Sequence, residues 1–341
     1  MSIPPEVLFH RYFQRKELSP TDRQDYRGKK DLDALHPTFG TLLTSIQEAL
    51  NEALRNEKKN VPEHVSHPPF HFDYVDSIVP NALAFRFEDC SFIGITMALV
   101  DMLWDTCVRL SRSEAVAALL GIPVTPEQHD SIHALLFPIQ LTFVVSHEYT
   151  HHVHGHVLQS ALDSTFSNEI VDSHDGGNLE AQALEIDADG YAVYHVLAHL
   201  IDGERRSQAA RLLRREQEKA SVHDEVLFSL FVIAIGAFLF VRPPTSLDSS
   251  RIYKLTHPPQ AARMNWIMHN AIGWCKQNRP ALEAWMTRDR FQTLMSAAAA
   301  ATWGMNGGSD WRAQTAFLQS EDGAEYFRKL NVSVQAHIQS L

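Results

Sequence analysis

Sixteen consecutive residues, Val226 to Val241 (VLFSLFVIAIGAFLFV), form a nearly uninterrupted apolar run between Asp224-Glu225 and Arg242. Such a segment has two physical solutions, a helix enclosed by protein or a helix crossing a bilayer. As a helix it covers about 24 Å, short of the ~30 Å hydrocarbon core, so a buried core helix is expected and membrane association is the open alternative. Enclosing it takes a large domain, and the chain has the material: 341 residues, 45% of them apolar, with only 15 Gly and 16 Pro. Disordered, collagen-like and low-complexity classes are excluded by that composition.

Lys and Arg number 30 against 41 Asp and Glu, a net charge of −11. Basic residues cluster only briefly, at Arg27 to Lys30, Lys58-Lys59 and Arg211 to Arg215, so no nucleic-acid partner is expected. Cys90, Cys107 and Cys275 are far apart and form no CxxC pair, which argues against a disulfide framework or a thiolate zinc site and for a reducing compartment. The first thirty residues hold no apolar run of leader length, and a cytoplasmic location is expected.

The pattern predicts an α+β, predominantly helical chain with one small sheet. Thr41 to Lys59 has amphipathic helical spacing, and Val61 to Pro80, with Pro62, Pro68, Pro69 and Pro80, reads as loop. Ala82 to Phe87 and Ser91 to Thr96 read as strands across the acidic turn Glu88-Asp89, followed by one helix from Met97 to Leu120 that stops at Gly121. The next helix is expected to open at Pro138 and run to about Leu158. Asn178 is the expected N-cap of a helix through Glu185 and Asp189, and Ser221 with Asp224 reads as a capping box for the apolar helix. The expected division is an N-terminal helical extension (1–64), a catalytic domain (65–279) and a C-terminal helical extension (280–341) packed on the same core.

The chain holds 19 His, and five of them lie between His147 and His156 in the stretch HEYTHHVHGH. On a helix, His147 and His151 project within ~40° of each other one turn apart and can grip one tetrahedral ion. Glu148 lies about 100° around from His147, where a general base for a metal-activated water belongs. A third ligand is expected from the acidic stretch LEIDADGYA. Glu185 serves best, because Asp189 shares its face four residues on and can accept a hydrogen bond from the free ring nitrogen of a ligand histidine. Glu180 is a weaker competitor. His154 lies ~10 Å along the axis from His147, too far to share its ion. His152 and His156 point elsewhere and read as outer partners, caps or surface residues.

These motifs resemble the HtpX and CAAX-prenyl-protease group of gluzincin zinc metallopeptidases. HEYTHHVHGH is similar to that group's HExxHxxxxH, and LEIDAD to its ExxxD. NALAF with IGIT resembles the strand pair before the active-site helix, and THPPQAAR (Thr256 to Arg263) resembles a downstream loop ending in Arg. The resemblance implies a zincin-like fold with the sheet beside the HExxH helix. It implies Glu148 as the catalytic carboxylate, and His147, His151 and Glu185 as ligands of one Zn2+. By the same resemblance, His257 and Arg263 line the cleft near the scissile carbonyl. Asp187 departs from the group's frequent Glu, and membrane-bound members' transmembrane helices are not evident.

The expected activity is hydrolysis of peptide bonds in a protein or peptide substrate by metal-activated water, with Glu148 as general base. His257, Arg263 or Tyr149 is the expected oxyanion stabiliser, His257 by the resemblance. Two other readings share the motif: an ImmA-like or Lit-like regulatory protease with one dedicated target, and a zinc-stabilised interaction protein without turnover.

Overall fold

The computed structural model describes residues 3–15, 24–60, 69–123, 125–157, 177–202, 205–241, 251–303 and 308–340. The chain divides into two compact units, one of Met1–Asp101 with His151–Ile170, the other of Met102–Thr150 with Val171–Leu341.

The first unit is built on a four-stranded mixed sheet in the order β1-β2-β4-β3. The strands are β1 (Tyr26–Lys29), β2 (Phe70–Ser77), β3 (Ala82–Phe87) and β4 (Cys90–Thr96). The expected hairpin forms as β3 and β4, in antiparallel register from Ala82↔Ile95 to Phe87↔Cys90. Glu88 takes the turn at φ 52, a conformation few non-glycine residues adopt. Strand β2 falls inside the stretch read as loop. It runs parallel to β4 from Phe70↔Ser91 to Val75↔Thr96, and the prolines that suggested a loop lie before it and after it rather than within it. The rest of that stretch, residues 61–68, lies outside the described residues.

Helix α1 (Pro5–Phe13) lays Phe9, Tyr12 and Phe13 against Tyr26, Phe85 and Phe92 of the sheet. Helix α2 (Pro37–Asn60) is fastened to β2 by Asn51. Its side chain accepts from the Phe72 N–H at 2.8 Å and donates to the Phe72 carbonyl at 2.9 Å, mimicking a neighbouring strand.

In the second unit, helix α3 (Met97–Ser111), shared across the boundary, and helix α4 (Glu114–Leu120) replace the single helix expected over Met97 to Leu120. Ser113 breaks it by capping α4 through the Val116 N–H. Helix α5 (Pro126–Val153) starts twelve residues before the expected Pro138. Pro126 occupies its first position, and Thr125 Oγ1 accepts from the Gln128 N–H at 3.3 Å. Pro138 is tolerated inside because the carbonyl it cannot bond belongs to Ala134, an exposed residue that water can serve.

Helix α6 (Leu179–Leu197) opens at Asn178 as expected, with Asn178 Oδ1 accepting from the Ala181 N–H at 2.8 Å. A π-turn over Ala198–Asp202 ends it. Helix α7 (Arg205–Leu212) leads to α8 (Ala220–Leu239), which carries the apolar run. The capping box expected at its start is absent: Ser221 already lies within the helix, and Asp224 pairs with Arg206 at 2.5 Å and Arg279 at 3.5 Å.

Helices α9 (Gln260–Asn278), α10 (Pro280–Trp285), α11 (Arg288–Trp303), α12 (Gly308–Leu318) and α13 (Glu321–Ser340) complete the unit. Helix α8 packs against α4, α7, α9, α10 and α11, and Val226 to Leu239 are all buried. Gly236 faces α11, where the flexible end of Met295 fills the space beside it. The last carbonyls of α8 are served by Gln260, bonded to Leu239 at 2.9 Å, and Trp303, bonded to Phe240 at 2.6 Å. Among the described residues it is the helix long and apolar enough to cross a membrane, and 83% of its most apolar window is buried inside the protein, as expected of a core helix.

Candidate metal centre

Two helices bring the site together. Helix α5 presents His147, Glu148 and His151, and α6 presents Glu185 and Asp189. The boundary between the units falls inside α5 after Thr150, so His151 is carried on the same continuous helix as His147. His147 is held on both ring nitrogens: Nε2 lies 3.3 Å from Glu185 Oε2, and Nδ1 lies 3.0 Å from Asp189 Oδ1. One ligand atom from each of His147, His151 and Glu185 lies within 4.8 Å of the others, and all three residues are buried. Ligands ~2.1 Å from one tetrahedral ion stand about 3.4 Å apart. The His147 to Glu185 spacing already meets that, so the donor set of two imidazoles and a carboxylate fits a metal ion such as zinc.

Asp189 is fully buried and is gripped in turn by Arg263. The guanidinium donates from Nε to Oδ2 at 2.8 Å and from Nη2 to Oδ1 at 2.7 Å. Burial alone would raise the Asp189 carboxyl, but Arg263 and His147 outweigh it and hold it at about 2. An ionised Asp189 beside Nδ1 favours the ring proton there and turns Nε2 towards Glu185, where a metal could bind.

Of the other expected residues, Glu148 is 2% exposed at the turn between the two histidines. His257 comes to the site from the loop before α9: its Nε2 stands 3.6 Å from Glu185 Oε2, and its Nδ1 shares a hydrogen bond with Thr256 Oγ1 at 3.1 Å. Arg263 lies a turn into α9, behind His147, with its guanidinium engaged by Asp189. Tyr149 packs with Tyr191 and His195, ring centroids 6.5 and 6.2 Å away.

Two histidines read as outer partners, caps or surface residues are engaged beside the site. Helix α5 ends at Val153, and Gly155, at φ 75, turns the chain back. His156 thereby reaches His151, Nδ1 to Nδ1 at 2.9 Å. With the proton on His151 Nδ1, the opposite nitrogen is presented as a ligand atom. His152 Nε2 bonds the Phe92 carbonyl of β4 at 2.8 Å, and burial pushes its pKa down to about 3. In the sequence His156 stands out only as the last position of the HExxHxxxxH resemblance; the turn at Gly155 that brings it to His151 leaves no periodic signal.

Residues 93–273 match the family described as Peptidase U49. The match covers more than half of the 341 residues, and the chain belongs to this family. It is a peptidase by family, with proteins or peptides as the implied substrates. No curated protein and no solved structure matches the chain.

Proposed function

We propose that the protein is a zinc-dependent metalloendopeptidase in which His147, His151 and Glu185 hold one Zn2+ per chain. The observation that carries this reading is the double engagement of His147, with Glu185 at Nε2 and the Arg263-clamped Asp189 at Nδ1. Bound zinc would supply Lewis-acid chemistry there, acidifying a water and polarising a peptide carbonyl.

Glu148 is the general base: it takes the proton of the attacking water and delivers it to the leaving amine. His257 stabilises the oxyanion. With the Thr256 hydroxyl donating to Nδ1, the ring proton sits on Nε2, the nitrogen on the Glu185 side. Arg263 acts through Asp189 as a positioning residue and does not touch substrate.

The HtpX-like and CAAX-protease-like ancestry belongs to this proposal. It is supported by the way the THPPQAAR segment delivers His257 to Glu185 and Arg263 to Asp189. The segment from 65 to 279 is then the catalytic part.

The Glu148→Gln variant should keep its zinc and lose hydrolysis, and it should retain substrate in cell extract. A single captured protein would point to a dedicated regulatory target. Purified protein without metal, or with metal in a variant lacking His147, would overturn the reading. A second reading rests on His257: its 3.6 Å approach to Glu185 makes it a candidate fourth ligand, and four protein ligands define a closed structural site. In that case His257→Ala loses zinc, whereas an oxyanion donor's loss lowers kcat with zinc retained.

A further inference from the structure

Gln182 is completely buried on α6, three residues before Glu185. Its amide is used on every side. Nε2 donates to the Ile252 carbonyl at 2.8 Å and to the Leu255 carbonyl at 2.9 Å, and Oε1 accepts from the Tyr326 hydroxyl of α13 at 2.6 Å. Leu255 is two residues before His257, so one amide ties the helix carrying Glu185 to the loop carrying His257. Gly177, just before α6, closes against the same loop. Its N–H bonds the Lys254 carbonyl at 3.0 Å, and a Cβ there would meet the Leu255 oxygen at 2.3 Å.

Tyr326 decides which way that amide faces. Its phenol is buried and stays protonated, because burial raises its pKa. Donating to Oε1, it keeps both Nε2 hydrogens on the loop carbonyls; a flipped amide would set Oε1 against two carbonyl oxygens. A second tie comes from α12, where Gln314 Oε1 accepts from the Ala261 N–H at 3.1 Å, two residues before Arg263. Around these bonds, Tyr326, Leu330 and Val334 of α13 pack with Ala183 and Ile186 of α6. Apolar packing alone would hold the helices together; buried polar ties select one register between them.

We propose that Gln182 and Tyr326 are positioning residues for the metal centre, so that helices α12 and α13, beyond the family-matched segment, set the placement of Glu185, His257 and Arg263. This rests on the zinc peptidase reading above.

The test compares the full-length wild type with Tyr326→Phe, the volume-conserving Gln182→Met, and Leu330→Ala as a packing control. Zinc affinity, the visible spectrum of the Co2+-loaded protein, the melting temperature, and exchange of the Gly177 amide in metal-free protein are measured. Tyr326→Phe is expected to weaken zinc binding roughly tenfold, to shift the Co2+ bands and to speed Gly177 exchange at least tenfold. Gln182→Met should do the same, and the double variant should be no worse than Gln182→Met alone. Leu330→Ala should lower the melting temperature without moving the spectrum. Tyr326→Phe and Gln182→Met variants that keep wild-type metal affinity, spectrum and Gly177 exchange would overturn the positioning role while leaving the zinc reading intact. A wild type that takes up neither Zn2+ nor Co2+ would overturn the zinc reading, and the inference resting on it, whatever the variants do.

Discussion

Arg263 and Asp189, 74 residues apart in sequence, meet as a two-pronged ion pair with 2.8 and 2.7 Å bonds and almost no solvent contact. Such a pair is costly to break from one side, because the survivor is left charged and buried. Arg263→Ala should therefore destabilise the fold by about 3–5 kcal/mol, measured by urea unfolding. Arg263→Lys, which has no planar fork, should recover only part of that loss. Asp189→Asn keeps the shape and removes the charge; it leaves Arg263 charged and buried, so stability should fall here too, and zinc affinity should fall roughly 10–100-fold. Unchanged zinc affinity in Asp189→Asn would separate Asp189 from the metal centre.

The clustering of His147, His151 and Glu185 was legible because the two helical offsets report on local geometry. His147 with His151, and Glu185 with Asp189, are each four apart, and a helix leaves little choice about where such pairs point. The hairpin over Glu88-Asp89 and the cap at Asn178 are equally local. Strand β2 escaped because its partner β4 lies about twenty residues on and its own flanks are rich in proline. The start of α5 escaped because Pro138 looks like a helix opening, and only the exposure of Ala134 makes it harmless inside. Nothing in the chain before or after Gln182 shows that Tyr326, 144 residues away, will bond it. Long-range polar contacts leave no periodic trace. For Arg263 the sequence carried the residue but not the role: the resemblance placed it at the cleft, and its guanidinium lies on Asp189.

His156 and His151 share a hydrogen bond between their Nδ1 atoms at 2.9 Å, the counterpart of the Asp189 contact on His147. An imidazole is a weaker orienting partner than a carboxylate, yet with Nδ1 engaged it leaves the opposite nitrogen of His151 as the one that would face a metal. His156→Ala should weaken zinc affinity about tenfold. His156→Asn, whose amide oxygen can accept the same proton, should recover part of it. Equal affinity in the wild type and both variants would remove His156 from the site.

Acid should weaken the fold partly through His133. This half-buried ring stacks edge-on against Trp104 at 4.2 Å, and burial lowers its pKa below the ordinary 6.5. The unfolded chain therefore binds this proton at a higher pH than the folded protein does. The stability it contributes is complete above about pH 6.5 and is lost as pH falls towards the lowered folded value. Urea midpoints of the wild type at pH 7.5 and 5.5 should differ by more than those of His133→Asn. A variant with the full wild-type difference would assign the acid sensitivity to other histidines, of which His152 is the most strongly shifted, to about 3.

Removing the metal should be felt as lost stability and not only as lost activity. His147 and Glu185 are buried 3.3 Å apart on two separate helices. The helices that carry them are fastened by their own packing, so the apo form is expected to stay folded. Its deficit should follow mass action: zinc at a hundred times its dissociation constant adds about 2.7 kcal/mol. Dialysis against a chelator should lower the melting temperature, and Zn2+ should restore it in a concentration-dependent way. In the His147→Ala variant the same additions should have no effect. Chelator-treated wild type that melts like the zinc-loaded protein, with zinc demonstrably removed, would uncouple the ion from the fold.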